Sequence, residues 1–393
     1  LNIRKVRIIK YKFKNLKKVL VFPKSGGYED LIESCHGQNK NNIAFFILPR
    51  QFLKKIFSYH FKNVDKKDYF TKPANSRETY YKNQYIKYLT NTFSILDKFI
   101  KLDGFISFNL FYHAEKYLEE VFKNLNKKYI VLHKESTFTP IEEINSTRVY
   151  KRYNSESLAH KISVYSESQK KILIKSKIAK DKQIYINGCP RSDYAFRLRK
   201  TKPKKNILVY YLIEKYRGAN LILSKSNINW KKLYDQTLEY LIDFAKKNRN
   251  VKIIFKGKIG SHKNNDLNLK ILPKNCSFVV GRTGEKFLRD ASVVIAFNST
   301  IVFEAIASNR NLIIPNFNKE NKKKENMLLK ITNKKYFVNT KKQFNKRLNL
   351  HLNSKYKNRN LSNTDKKTLK YYLGIIDGKS GKKVQNFLNK TFN

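Results

Sequence analysis

Short apolar runs closed by turn residues alternate along this chain with longer stretches of helical periodicity. Lys18–Pro23 reads as a buried strand followed by the loop Lys24-Ser25-Gly26-Gly27-Tyr28, with a helix opening between Asp30 and Cys35. Asn42–Leu48, Gly104–Asn109, Lys128–Leu132, Lys161–Tyr165 and Gln183–Ile186 read as further strands. Residues 51–102 carry a helical pattern interrupted at Lys72–Asn75, Phe111–Leu125 is an amphipathic helix, and Ser166–Lys177 another. The pattern stops at Asn187–Arg191 and again in the basic stretch Arg197–Lys205, then restarts. Asn206–Leu212, Val251–Phe255, Ser277–Val280, Val293–Phe297 and Asn311–Pro315 are the second set of strands. Trp230–Lys247 and Thr300–Ser308 are helices among them, residues 318–335 are helix-like, and Phe344–Leu352 is a further helix. The tail Thr364–Phe392 reads as two helices split at Asp377–Gly381.

Alternating strands and helices predict an α/β protein with parallel sheets. The expected organisation is an N-terminal unit over 1–196, a linker over 197–205, a second unit over 206–355, and a helical tail over 356–393 that can pack back on the first unit. A length of 393 residues suits two ordinary domains. A hydrophobic fraction of 41% supplies real cores.

The net charge of +53 invites a nucleic-acid reading. Lysine, however, is spread along the whole chain beside abundant Asn, Ile, Phe and Tyr, a bias that AT-rich codons also produce. The spread weighs against a dedicated nucleic-acid surface. The charge does predict attraction to anionic membrane surfaces and anionic sugar nucleotides. The chain has no apolar run of about 18 residues that would suit a membrane span. Leu1–Lys18 is basic without the apolar stretch of a signal peptide, and because the chain opens on Leu1 its natural start is expected upstream. Cys35, Cys189 and Cys276 form no disulfide or zinc pattern, which suggests a reducing, cytoplasmic setting. The charge adds the expectation of a peripheral place on the inner membrane face, and neither a metal nor a cofactor is expected.

Four constellations stand at predicted strand ends, where open parallel sheets bind ligands. Asn298-Ser299-Thr300 opens a helix whose N-terminus suits a phosphate, and Glu304 lies one turn on, placed to accept hydrogen bonds from a ribose. Lys256 and Lys258 flank Gly257 directly after a strand, where two ammonium groups and a close backbone can meet a phosphate. His133 and Glu135 share one side of an extended segment and are candidate general bases for transfer to a hydroxyl. Arg191, in the tight loop Asn187-Gly188-Cys189-Pro190-Arg191, can pair with an anion. For each, a plain turn, cap or surface ion pair is the competing structural explanation.

The order of these segments resembles the GT-B superfamily of glycosyltransferases, in particular surface-carbohydrate and capsular-polysaccharide biosynthesis proteins. Leu132–Glu135 resembles a "KE" strand end, Ile186–Asp193 a "TGxPRxD" motif, and Ile254–Lys258 a phosphate-contacting "KxHP" or "KxK" segment. Ala296–Thr300 with Glu304 resembles the nucleotide-sugar segment, and Tyr371–Ser380 a "DGxS" closing segment. The chain lacks the common His-Pro pair and has Lys258 at that place, which weighs against a CMP-sugar donor. The resemblance implies two Rossmann-like domains facing a central cleft and metal-independent sugar transfer. The donor would be a nucleotide-sugar, bound by Arg191, Lys256, Lys258, Asn298, Ser299, Thr300 and Glu304. The acceptor would be a glycan or glycolipid of capsule, O-antigen or lipopolysaccharide. The alternatives are a CDP-polyol phosphotransferase of the teichoic-acid type and a non-enzymatic basic protein binding RNA or lipopolysaccharide.

Overall fold

A computed structural model describes residues 16–35, 42–62, 71–134, 137–213, 230–258, 272–281, 284–317 and 328–393. The chain divides into two compact units. One holds the described residues up to Lys134 with Ser146–Asp193 and Tyr372–Asn393; the other holds Tyr194–Tyr371 with Thr137–Asn145.

The first unit is built on β1 (Lys17–Val21), β2 (Ile43–Ile47), β3 (Gly104–Ser107), β4 (Lys128–Leu132), β5 (Lys161–Val164) and β6 (Ile184–Ile186). All pairings are parallel and the order is β2-β1-β3-β4-β5-β6. Val19, Leu20, Phe105, Ile106, Ile130 and Val131 are fully enclosed, so these strands read as continuous apolar runs rather than alternating ones. The helix Ser380–Phe392 packs Val384, Phe387, Leu388 and Phe392 into the cluster formed by Val19, Val21, Ile106, Ile130 and Leu132. Its first turn is held by Asp193, which accepts from the Ser380 N–H at 3.2 Å and the Gly381 N–H at 2.7 Å. Burial raises the Asp193 carboxyl to about 6, against the lowering effect of those N–H groups. The chain reaches that helix through Gly374 at φ +71°, where any Cβ would collide with the Tyr165 carbonyl.

The second unit is built on β7 (Ile207–Tyr211), β8 (Lys252–Gly257), β9 (Cys276–Val280), β10 (Val293–Ile295), β11 (Asn311–Pro315) and β12 (Phe337–Val338). These are again all parallel, in the order β12-β11-β10-β7-β8-β9. Buried Arg310 ties the loops at one edge, donating to the carbonyls of Leu288, Thr201, Ser308 and Arg289 at 3.0–3.1 Å.

The expectation of two Rossmann-like α/β units is met in each unit, and every anticipated strand is present within a few residues. Three local expectations are corrected. Phe111–Leu125 is not one helix but His113–Lys116 and Leu118–Asn124. The break falls at Tyr117, whose hydroxyl bonds the Thr71 carbonyl at 2.8 Å and the His113 ring at 2.9 Å. Of the helix expected over 318–335, residues 318–327 lie outside the described residues, and the rest forms turns and a short Lys334–Tyr336 helical turn. The stretch expected as linker from Arg197 instead begins inside the helix Asp193–Leu198.

Candidate functional site

In an open parallel sheet the strand order reverses once, and the loops leaving the two strands at that point diverge to leave a crevice. In the second sheet the reversal lies between β7 and β10. The loop leaving β10 is Ala296-Phe297-Asn298-Ser299-Thr300, the segment singled out from the sequence. Phe297 anchors it, packing on Trp230 with ring centroids 5.0 Å apart. Asn298 adopts φ +40°, and its Oδ1 accepts from the Leu329 N–H at 3.0 Å. Asn298 is therefore a loop clamp, and neither it nor Ser299, both residue types that favour a helix cap, holds the cap position. The cap position is Thr300, whose carbonyl accepts from Phe303 N–H at 3.0 Å and Glu304 N–H at 3.2 Å, with no side-chain cap. Ser299 is exposed.

Glu304 sits one turn into the helix Ile301–Ala307 and is partly exposed. Its carboxylate accepts a hydrogen bond from the Tyr194 hydroxyl. Tyr211, at the end of β7, lies close enough that burial and then the Glu304 charge push its phenol well above the usual range. The Tyr211 hydroxyl donates to the Gly284 carbonyl at 2.9 Å. One strand further, Lys256 pairs in register with Tyr211. Its ammonium is buried and donates to the carbonyls of Gly257 at 2.6 Å and Gly281 at 2.5 Å. Burial lowers its pKa. An ammonium has three N–H donors, so two carbonyls leave capacity for an anion. Lys258 is exposed at the end of the same strand. Lys256, Asn298, Ser299, Thr300 and Glu304 thus share the carboxyl edge of one sheet, with Tyr211 between Lys256 and the loop.

Arg191 belongs to the other unit. There the reversal lies between β1 and β3. The loop after β1 carries Lys24 and the loop after β3 carries Tyr112, whose buried ring collects three cations. Lys24 Nζ lies 4.8 Å from its centroid, the Arg50 guanidinium 4.9 Å and Lys134 Nζ 5.8 Å. Arg50 pairs with buried Glu115, and Lys134 donates to the Ser25 carbonyl at 2.8 Å. Beside them the Arg191 guanidinium lies 5.6 Å from the Tyr165 ring. The Arg191 N–H donates to Asp30 Oδ1 at 2.9 Å, and the Tyr165 hydroxyl donates to the same carboxylate. Burial raises the Asp30 pKa despite the opposing charge of Arg191. Gly26, at φ +89°, leaves the space that Arg191 fills, since a Cβ there would strike its guanidinium.

His133 is buried at the end of β4, its ring edge-on to Phe111 at 5.4 Å and its N–H bonded to the Ser163 carbonyl at 2.8 Å. Glu135 lies outside the described residues. Sequence reasoning missed Lys24, Arg50, Tyr112, Asp30 and Tyr165. Lys24 stood in the loop beside the glycine pair, and Asp30, Tyr112 and Tyr165 stood in segments read as helix or strand but not as ligand contacts; Arg50 stood in none. Among the described residues no group of three or more His, Cys, Asp or Glu side chains could hold a metal ion. Among the same residues no helix is long and apolar enough to cross a membrane.

No family model matches the chain. No curated protein matches it in sequence. Among solved structures it is similar to the wall teichoic acid polymerase TagF, at 12% identity and a TM-score of 0.48 over 97% of this chain and 91% of that one. It is also similar to the UDP-N-acetylglucosamine 2-epimerase from Rickettsia bellii, at 13% identity and a TM-score of 0.44 over 95% of each. A third likeness is to MurG from Acinetobacter baumannii, at 10% identity and a TM-score of 0.44 over 95% of this chain and 99% of that one.

Proposed function

We propose that this chain is a metal-independent glycosyltransferase that moves a sugar from a nucleotide-sugar to a glycan or glycolipid acceptor in bacterial surface-polysaccharide synthesis. The observation that carries this reading is where one segment falls in the second sheet. The segment 298–304, chosen for its residue types, falls at the strand-order reversal of the second sheet, where physical reasoning places a ligand. In this reading Glu304, oriented by Tyr194, accepts hydrogen bonds from the ribose hydroxyls. Ser299 and Thr300 contribute hydroxyl donors to the phosphates. Lys256 supplies positive charge to the departing nucleotide from a poorly solvated position, where each charge counts for more than in water.

The acceptor binds the first unit, with Lys24, Arg50, Lys134 and Arg191 favouring one that carries negative charge. A base must take the acceptor proton. His133 is enclosed against Phe111, so that role is assigned to Glu135 on sequence grounds. Residues assigned to the donor from sequence thus separate, with Arg191 joining the acceptor side. The same cation density supports a second reading, transfer of a polyol phosphate onto a phosphate-bearing acceptor.

Calorimetric titration with UDP, CDP, GDP and TDP and their sugar conjugates tests the proposal. At least one is expected to bind, with hydrolysis or transfer of its sugar. A protein that binds none of them is not a nucleotide-sugar enzyme. A CDP-polyol accepted in place of every sugar nucleotide decides for the second reading.

A further inference from the structure

The second unit has a cavity of about 650 Å³ at the opposite edge of its sheet from the site above. Its position follows from the residues that open the strands. Asn206 precedes β7, Ser292 precedes β10 and Asn311 begins β11, and all three line it. Because the strands are parallel, this is the amino edge, a full strand length from Asn298 and Glu304.

Two segments far apart in sequence bring six cations to this cavity. Lys202, Lys204 and Lys205 come from the stretch before β7, and Lys355, Lys357 and Arg359 from the stretch after the helix Lys341–Asn353. Among the described residues no Asp or Glu lines it. Among the described residues, Lys204 is the one of these six that meets a carboxylate, Asp290 at 3.0 Å. The walls are held by bonds that leave the cationic heads unused. Asn309 Nδ2 donates to the Lys357 carbonyl at 2.9 Å, the Tyr356 hydroxyl to the Arg199 carbonyl at 2.6 Å, and Ser354 Oγ to the His351 carbonyl at 2.9 Å.

Like charges gathered in a concave site repel one another and focus a positive potential that a bound anion relieves. His351 lines the same cavity, and one of the cavity cations, Arg359, is among the charges that act on it. Its pKa falls to about 4, through burial first and then through Arg347, Arg359 and Lys335. The volume lies within the range of about 300–1,000 Å³ typical of small-ligand sites, more than one phosphate needs.

We propose that this cavity is a second binding site of the protein, taking a multiply charged phosphate group of the pyrophosphate or phospholipid-headgroup kind. The site is separate from the donor reading and stands whether or not that reading holds.

The test compares two triple variants with the same change in charge. One is Lys205→Glu, Lys355→Glu, Lys357→Glu, which alters the cavity. The other is Lys366→Glu, Lys367→Glu, Lys370→Glu, which alters exposed positions on the helix Asn363–Leu373 away from it. Binding of inorganic pyrophosphate is measured at about physiological salt, where diffuse surface attraction is largely screened. Sedimentation with vesicles containing phosphatidylglycerol, against vesicles of phosphatidylcholine alone, is measured in parallel. The cavity variant is expected to lose at least tenfold in affinity for one probe, while the control stays within threefold of wild type. Loss confined to pyrophosphate assigns a soluble phosphate, and loss on the vesicles assigns a lipid headgroup. Pyrophosphate should also move the His351 ring resonances in the wild-type protein. Equal loss in both variants, unchanged binding in the cavity variant, or no binding of either probe by wild type overturns the proposal. If the glutamate triple does not fold, Gln at all three positions in both the cavity and the control variant gives the same comparison.

Discussion

The two strand-order reversals of this protein are built to the same plan and furnished with opposite chemistry. In the first unit, Lys24, Arg50 and Lys134 converge on the Tyr112 ring, and Arg191 lies on Tyr165. In the second, a carboxylate flanked by phenols, Glu304 with Tyr194 and Tyr211, faces a single buried lysine across one strand. A cluster of cations on aromatic faces is suited to an anion. A carboxylate set among hydroxyls is suited to a partner rich in hydroxyl donors, such as a ribose. Two Rossmann-like sheets thus offer equivalent crevices, and side chains on a handful of loops decide what each one takes.

The largest expected effect concerns what keeps the cationic crevice in one piece. Arg50→Ala strands buried Glu115 without its partner, and should cost about 3–5 kcal/mol in denaturant unfolding of the first unit. A loss near zero would mean that Glu115 is neutral or solvated and the cluster looser than described.

Asp193 comes next, because it fixes the segment that carries Arg191. Its carboxyl rises from 3.8 to about 6 on folding, so between those pH values the folded chain holds a proton that the unfolded chain releases. Its contribution is therefore complete below about pH 4 and falls as pH climbs toward 6. Relative to wild type, D193N should gain up to about 3 kcal/mol between pH 4 and pH 7, read from paired urea titrations. A pH-independent difference would remove the shift.

Glu304→Ala should weaken nucleotide binding by about 2 kcal/mol, some thirtyfold, while leaving affinity for an anionic acceptor unchanged. Equal loss of both would erase the division between the crevices. The smallest effect is Lys24→Ala, expected to lower affinity for anions by about two- to fivefold, an effect that fades as salt rises. Nucleotide affinity should not respond.

The sheets were legible because buried parallel strands announce themselves as continuous apolar runs, and Lys128–Leu132 and Asn311–Pro315 match residue for residue. What escaped lacks that signature. β12 is two residues long, and the helix Pro140–Tyr153 has few apolar residues in PIEEINSTRVYKRY to betray a buried face. The segment 298–304 could be singled out because its residues are neighbours in sequence. The Tyr112 cluster was not, since its members come from four separate stretches of chain and only folding gathers them. Asn298 shows the reverse error: a residue type good for capping was spent instead on the Leu329 N–H, a choice that depends on a partner 31 positions away.

The helix Ser380–Phe392 has a further consequence, for the order in which the chain can assemble. Its Val384, Phe387, Leu388 and Phe392 are part of the wall against which the first sheet closes, yet they are made after the whole second unit. During synthesis the first sheet must wait, apolar face uncovered, until residues near 392 have left the ribosome. The second unit, which needs no such late arrival, is free to fold before it. The earliest part of the described chain is in this sense the last to finish, and a nascent chain stalled short of Ser380 would present an incomplete sheet to chaperones and proteases.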